Sequence, residues 1–353
     1  MTIIEPIQAI LEEELDHAVE RWKPNAAYAV MADPSGNILA MAQRPSFDPN
    51  DRTGIDPSAW RIRITEDVFE PGSIMKAVTI SGALDYGVVK PETRIDCEPG
   101  RWFYRGKMLT DTHAYGLQDV TGVIRKSSNI GTAKIALMLG EARLDRTLRK
   151  FGFGNYTGLP LKPETRGILP PVRLWDGLSI SRFGMGYGVA VSPVQMLRAY
   201  CALASRGRLP ELRLVDHVED PETGEIFRNP VKPPVMLFHS PDTGETIVKM
   251  MITVTEEGGT ATKAAIPGYH VAGKTGTARK VENGHYVSKY YGSFVGFVPA
   301  ENPAFVLLVT LDEPHGSYYG GTVAGPTWRA IAERTLKYLD VKPTLPLPEK
   351  SAR

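Results

Sequence analysis

The sequence predicts an α+β fold: a sheet built from strands at both ends of the chain, flanked by helices, with an all-helical lobe inserted between the two sets of strands. Three observations carry this expectation. Strand-forming runs broken by turn signals lie at 26–42 and return from 212 onward. Helical apolar spacing dominates the stretch from about 73 to 206, and amphipathic helices open and close the chain. At 353 residues and 42% hydrophobic content, the chain is ample for a packed core and long for one domain. The expected organisation is a single domain over 1–353, with an α/β lobe from about 1–72 and 207–341 and a helical lobe from about 73–206. The remainder, 342–353, carries Pro343, Pro346 and Pro348 and is expected to be disordered.

Each element has its own local signal. Ile7, Ile10, Leu11, Leu15, Ala18 and Val19 recur at helical spacing over 5–21. Runs at 26–31 and 37–42 flank Asp33-Pro-Ser-Gly36 and read as a hairpin. Residues 74–85 read as a helix with Met75, Val78, Thr79 and Leu84 available for packing, and 130–139 as another. Asp220-Pro-Glu-Thr-Gly224 is a second hairpin turn, followed by a helix over 243–257. A strand over 269–278, the turn Asn283-Gly284 and a strand over 292–298 form the next hairpin, because Asn-Gly supplies the two positive φ angles that a tight turn needs. A helix over 326–339 closes the fold.

Three short motifs in fixed order sit on these elements: Ser73-x-x-Lys76, Ser127-x-Asn129 and Lys274-Thr275-Gly276-Thr277. Each is weak alone, since a chain of this length holds a Ser-x-x-Lys roughly once by chance. Together they build an activated serine. A serine hydroxyl needs an adjacent base. Ser73 falls at a helix N-terminus after Pro71-Gly72, and Lys76 lies one turn on along the same face. A lysine becomes a base only when burial or another cation lowers its pKa, and Lys274 is a candidate for that second charge. Ser127 can relay a proton to a leaving amine, and Asn129 can bind a substrate amide, although Ser-Ser-Asn alone is an ordinary helix cap. Lys274, Thr275 and Thr277 offer a cation and two hydroxyls to a carboxylate, while Gly276 lets a backbone come close.

Two other patterns compete. Gly268 to Thr275 fits the nucleotide-binding pattern G-x-x-x-x-G-K-[ST], and 305–313 looks like an apolar strand ending in acid. That reading needs a helix opening at Lys274-Thr275, where Gly276, Thr277 and the Asn-Gly turn leave no room, so a P-loop NTPase is only a remote alternative. Gly184-Met-Gly-Tyr-Gly188 reads as a loop rather than a dinucleotide site. Lys and Arg total 41 against 40 Asp and Glu, a net charge of +1, which leaves no footprint for nucleic acid. Cys97 and Cys201 make no framework, and the seven histidines are scattered, so neither a metal nor another cofactor is expected. No apolar run approaches the roughly 20 residues that span a bilayer, and no secretory leader is visible.

The trio is the set found in penicillin-binding proteins and class A β-lactamases. With the segments Arg44-Pro-Ser-Phe-Asp-Pro-Asn50, Phe69-Glu-Pro-Gly-Ser73, Gly259-Thr-Ala261, Phe294-Val-Gly-Phe-Val-Pro-Ala300 and Tyr319-Gly-Gly321, almost the whole chain resembles a class B penicillin-binding protein transpeptidase domain. Glu70-Pro-Gly places the resemblance with the division-type, penicillin-binding protein 3-like branch. The resemblance implies the serine β-lactamase/penicillin-binding transpeptidase fold, an antiparallel sheet flanked by helices with an inserted all-helical lobe. It implies a peptidoglycan D,D-transpeptidase that cross-links stem peptides and is acylated by β-lactam antibiotics. Ser73 would be the nucleophile, Lys76 its base, Ser127 the proton relay and Asn129 the substrate-amide ligand. Lys274 would be an electrostatic anchor, Thr275 and Thr277 the carboxylate ligands, and the backbone N–H groups of Ser73 and Thr277 the oxyanion hole. It also implies a native protein anchored in the inner membrane with this domain on the periplasmic side, working with a membrane glycosyltransferase. The chain departs from the family at Met185 and Tyr187, where smaller or amidated side chains are more usual, and at Ile4, where an acid is.

The alternatives are a β-lactam-binding sensor and a serine β-lactamase. By resemblance, a class A β-lactamase carries a deacylating glutamate some thirty-odd residues after the Asn motif and an asparagine four residues later. Glu164 sits near that spacing, but Ile168 takes the asparagine position, so Glu164 is expected to order its loop.

Overall fold

Strand β1 (Ala26–Ala32) is buried at every residue, which requires cover on both faces of its sheet. The structure, a computed structural model, describes residues 1–51 and 53–347. β1 pairs with β2 (Ile38–Arg44) on one side and, across the length of the chain, with the C-terminal strands on the other. These are β3 (Ala272–Glu282), β4 (His285–Val298) and β5 (Phe305–Asp312). The order is β3-β4-β5-β1-β2, antiparallel throughout. The sheet from both chain ends is therefore as expected.

Helix α1 (Glu5–Trp22) buries Ile7, Ile10, Leu11, Leu15 and Ala18. It packs on β2 and on α6 (Gly325–Tyr338), which also covers β4 and β5. Helix α4 (Pro193–Ala204) contacts β1, β4 and β5 and covers the other face. Its N-terminus is a capping box in which Ser192 and Gln195 satisfy each other's backbone N–H groups. Trp328 of α6 is fully buried, donates from Nε1 to Leu307 O at 2.8 Å and meets Phe294 edge-on. Trp328→Ala is expected to cost about 3–5 kcal/mol of stability. Urea unfolding checks this; a loss below about 1 kcal/mol would mean the sheet–helix seam repacks.

Between the strand sets run α2 (Lys76–Asp85), α3 (Asn129–Leu139) and further helices at Val120–Arg125, Glu141–Lys150 and Ser179–Gly184. The expected all-helical lobe needs one correction. Two small ribbons lie within 73–206: Arg94–Asp96 with Leu117–Asp119, and Arg101–Tyr104 with Lys107–Thr110. Their strands are three or four residues long, too short for a period-2 pattern to stand out from the helices around them.

Boundaries moved where long-range pairing decides them. The strand expected at 269–278 runs over Ala272–Glu282, and its partner begins at His285 instead of 292. The turn is the one expected, with Asn283 at φ 51 and Gly284 at φ 79. Because it is tight, it sets Glu282 opposite His285 and Val281 opposite Tyr286, and the register shifts between Arg279 and Val281 before Tyr290 and Tyr291 pair with Arg279 and Ala278. The helix expected over 243–257 spans α5 (Pro241–Ile252). Beyond it Thr253, Val254 and Thr255 are β-branched, and Gly258-Gly259 follows. Of the tail expected from 342, Thr344 and Leu345 donate backbone hydrogen bonds to Gly268 O, while 348–353 lie outside the described residues.

Candidate active site

Ser73 stands in the turn Gly72–Met75, immediately before α2. Gly72 adopts φ 51, a conformation glycine takes without strain, and its N–H donates to Gly186 O at 3.0 Å. On the opposite side β3 passes the turn so closely that a Cβ on Gly276 would lie 3.0 Å from Ile74 Cγ2 and 3.3 Å from Pro71 O. The serine turn is thus wedged between the 186–188 loop and β3. Ser73 itself is only half-buried, so its hydroxyl is accessible.

Lys76 opens α2 and is fully buried. Its Nζ donates to Ser127 O at 2.6 Å, Asn129 Oδ1 at 2.8 Å and Ser127 Oγ at 3.3 Å. Lys274 of β3 is equally buried and donates from Nζ to the same Ser127 Oγ at 2.8 Å. Two ammonium groups therefore meet at one hydroxyl. Burial lowers Lys76 to about 7, with Asp111 pulling the other way. Burial and the proximity of Lys76 both push Lys274 well below an ordinary lysine. Burial is the leading cause for both lysines, and the repulsion between two amino groups meeting at one hydroxyl opposes charging both at once.

Ser127 sits at φ 57, left-handed, between the helix Val120–Arg125 and α3. Ser128 is the cap: its Oγ accepts from Gly131 N at 2.8 Å and donates to Asp111 Oδ2 at 2.6 Å. Asp111 Oδ1 also accepts from the backbone of Asn129 and, at 3.2 Å, of Ile130. Asn129 Nδ2 donates to Thr110 O at 2.9 Å, which leaves its second N–H for the groove. Asp111 is the residue that sequence reasoning missed. No motif marks it, and only the ribbon ending at Thr110 brings it to the start of α3.

These groups border a groove of about 780 Å³ lined by Ser73, Ser127, Asn129, Thr275 and Thr277. Lys76 and Lys274 lie beneath its floor. Thr275 Oγ1 pairs with Thr260 Oγ1 at 2.9 Å, and Thr277 Oγ1 accepts from Gly320 N at 3.1 Å. An aromatic wall, Tyr187 with the stacked pair Tyr290 and Tyr318, faces the same groove. All the residues of the three motifs converge here, with Gly276 serving the backbone contact.

The competing patterns separate from the groove. Lys274-Thr275 continues as strand with no helix opening, so the backbone N–H cradle of a phosphate loop is missing, and Asp312 is held by Lys280 Nζ at 2.9 Å. Glu164 is buried away from the groove, where its Oε1 accepts from Thr157 N and Thr157 Oγ1, each at 2.6 Å. It orders its loop. Gly184 ends the helix Ser179–Gly184, and Met185 to Gly188 form the loop that braces Gly72. Cys97 and Cys201 are buried free thiols. Among the described residues, no cluster of three or more His, Cys, Asp or Glu is placed to hold a metal ion, and no helix is long and apolar enough to cross a membrane.

Comparison with known proteins agrees with this geometry. Residues 27–333 match the penicillin binding protein transpeptidase domain. The chain is 37% identical over 347 residues to the peptidoglycan D,D-transpeptidase FtsI of Escherichia coli K12, covering 97% of this chain and 56% of that protein. It is 36% identical over 353 residues to the probable peptidoglycan D,D-transpeptidase PenA of Neisseria gonorrhoeae, covering 98% and 58%. The chain thus spans a little over half the length of these relatives. The apo transpeptidase domain of Burkholderia pseudomallei penicillin-binding protein 3 superposes with a TM-score of 0.86 at 35% identity, covering 98% of both chains. Strand order, the convergence of the three motifs and sequence identity across nearly the whole chain lead to one assignment: the chain belongs to the family of penicillin-binding protein transpeptidase domains.

Proposed function

We propose that this chain is the transpeptidase domain of a division-type peptidoglycan D,D-transpeptidase, acylated at Ser73 by stem peptides and by β-lactams. The observation that carries the reading is the meeting of Lys76 and Lys274 at Ser127 Oγ, beside an accessible Ser73. Ser73 Oγ attacks the carbonyl of the D-Ala-D-Ala amide as Lys76, in its neutral form, takes the hydroxyl proton. The backbone N–H groups of Ser73 and Thr277 receive the oxyanion. Ser127, held between the lysines, passes a proton to the leaving amine, and D-Ala departs. The amine of a second stem then attacks the acyl-enzyme, and the proton steps run in reverse. Asn129 holds the substrate amide, Thr275 and Thr277 its carboxylate, and Lys274 supplies the local positive field. The groove is read as the junction of the lobes 1–72 with 207–341 and 73–206, and no cofactor takes part.

On the strength of the family relationship, we also read the native protein as anchored in the inner membrane, with this domain on the periplasmic side and a membrane glycosyltransferase as partner. A β-lactamase is disfavoured because Glu164 is engaged with Thr157 outside the groove. Deacylation is therefore slow.

The test is intact-protein mass spectrometry through a penicillin time course, with peptide mapping, run beside turnover of a thioester substrate. A long-lived adduct on Ser73 with thioester turnover is expected. An adduct without turnover would indicate a sensor, and rapid release a β-lactamase. Because Lys76 must lose its proton to act and is held at about 7, the acylation rate should climb through neutral pH and level off above it. A flat profile from pH 5 to 9 would remove Lys76 as the base.

A further inference from the structure

Glu70 carries an arrangement that the chemistry above does not use. One carboxylate oxygen, Oε1, accepts from Gly188 N at 2.7 Å and from the hydroxyl of Tyr286 at 3.2 Å. The other, Oε2, is buried with no hydrogen-bond partner. Desolvation pushes the carboxyl above its ordinary range. A desolvated acid three residues before the nucleophile is costly to keep unless it holds something in place.

What it holds is visible in the chain segments it joins. Gly188 belongs to the loop whose Gly186 braces Gly72. A Cβ on Gly186 would lie 2.2 Å from Gly72 O, so loop and serine turn are in direct backbone contact. Tyr286 belongs to the β3–β4 hairpin, whose β3 strand carries Lys274 to Thr277. The Tyr286 ring meets Tyr187 edge-on at 6.3 Å, and Tyr187 is part of the groove wall. Phe69, next to Glu70, exchanges backbone hydrogen bonds with Val191 and packs its ring against Tyr291 of β4 at 5.6 Å. Hairpin, loop and serine turn come from separate stretches of sequence, and Glu70, three residues before Ser73, bonds to the first two.

We propose that Glu70 is a positioning residue, a latch that fastens the β3–β4 hairpin through Tyr286 to the Tyr187 loop and so sets the groove wall against the nucleophile. The proposal rests on the acyl-enzyme reading above. Once bound, an acyl donor is squeezed between β3 and Tyr187; releasing the latch lets the hairpin end of β3 swing away from Ser73. Binding survives largely through Asn129 and the threonines, whereas the geometry of attack is lost. The acylation step should therefore suffer more than the preceding encounter. Since only one oxygen is used as an acceptor, a glutamine can substitute for the acid.

The experiment measures the first-order acylation constant and the dissociation constant of the encounter complex separately, with a chromogenic β-lactam, for wild type, Glu70→Ala, Glu70→Gln, Tyr286→Phe and Glu70→Ala/Tyr286→Phe. Wild type must acylate; if it does not, the functional reading itself fails and the latch with it. With wild type active, Glu70→Ala is expected to lower the acylation constant about tenfold or more while the dissociation constant changes less than about threefold. Tyr286→Phe should lower it severalfold, Glu70→Gln should restore most of the rate, and the double variant should be no slower than Glu70→Ala alone, as two ends of one contact require. Multiplicative effects in the double variant, or a Tyr286→Phe rate within about twofold of wild type, would overturn the latch. Tyr286 is half-exposed and loses only a hydroxyl, so the Tyr286→Phe rate decides the matter even where Glu70→Ala unfolds.

Discussion

Ser73→Ala should yield a protein that no longer gains mass from any penicillin and still melts like the wild type. Ser73 is the one groove hydroxyl on the turn that leads into α2, and nothing else in the groove replaces it. Ser127 Oγ is taken up by two lysine donors, and Thr275 Oγ1 and Thr277 Oγ1 are engaged with Thr260 and Gly320. The side chain is half-buried, and alanine suits the backbone it leaves, so the stability change should stay within about 1 kcal/mol. Intact mass after overnight exposure, with a melting curve, checks both halves. A persisting adduct would move the nucleophile elsewhere and end the assignment.

Lys76→Met should be nearly as damaging to chemistry while changing stability in a pH-dependent way. Loss of the base is expected to slow acylation by about 10²–10⁴-fold. The linkage has a definite sign. In the folded chain the ammonium is held at about 7 by burial, whereas the unfolded chain titrates at the ordinary value of 10.5. Between those values the unfolded state binds the extra proton, so raising the pH favours the folded state. The stability of wild type minus that of Lys76→Met should therefore rise from pH 7 towards 10, because groups remote from Lys76 cancel in the difference, while Lys274, relieved of the repulsion in the variant, adds to the rise. Urea unfolding at pH 6, 8 and 9.5 measures it. A difference independent of pH would show that Lys76 is not desolvated, and the acylation profile would need another origin.

Much of the fold could be read locally. Ile7 to Ala18 at helical spacing, the Asp33–Gly36 and Asn283-Gly284 turns and the apolar run Phe305–Val309 of β5 each specify their own backbone. The three motifs could be read because each sits where local structure displays it: a turn before a helix, a helix cap, a strand. The ribbons at 94–119 could not, since strands of three or four residues carry too little pattern. Nor could Asp111, an ordinary acid in sequence that accepts from the first N–H groups of α3 only because the chain folds back upon it.

By itself, then, the sequence determined the larger elements, the sheet drawn from both chain ends and most of the polar groups that line the groove, since these follow from periodicity, turn chemistry and residue type. Only the tertiary structure decided how those groups behave. Lys76 can be neutral, and so free to take a proton, near pH 7 because distant segments bury it. Ser127 receives both lysines because β3, α2 and the start of α3 meet there. Glu70 joins hairpin to loop because three segments remote in sequence close around it. Burial and electrostatics depend on every neighbour in space, and those neighbours are set by long-range packing that no local pattern encodes.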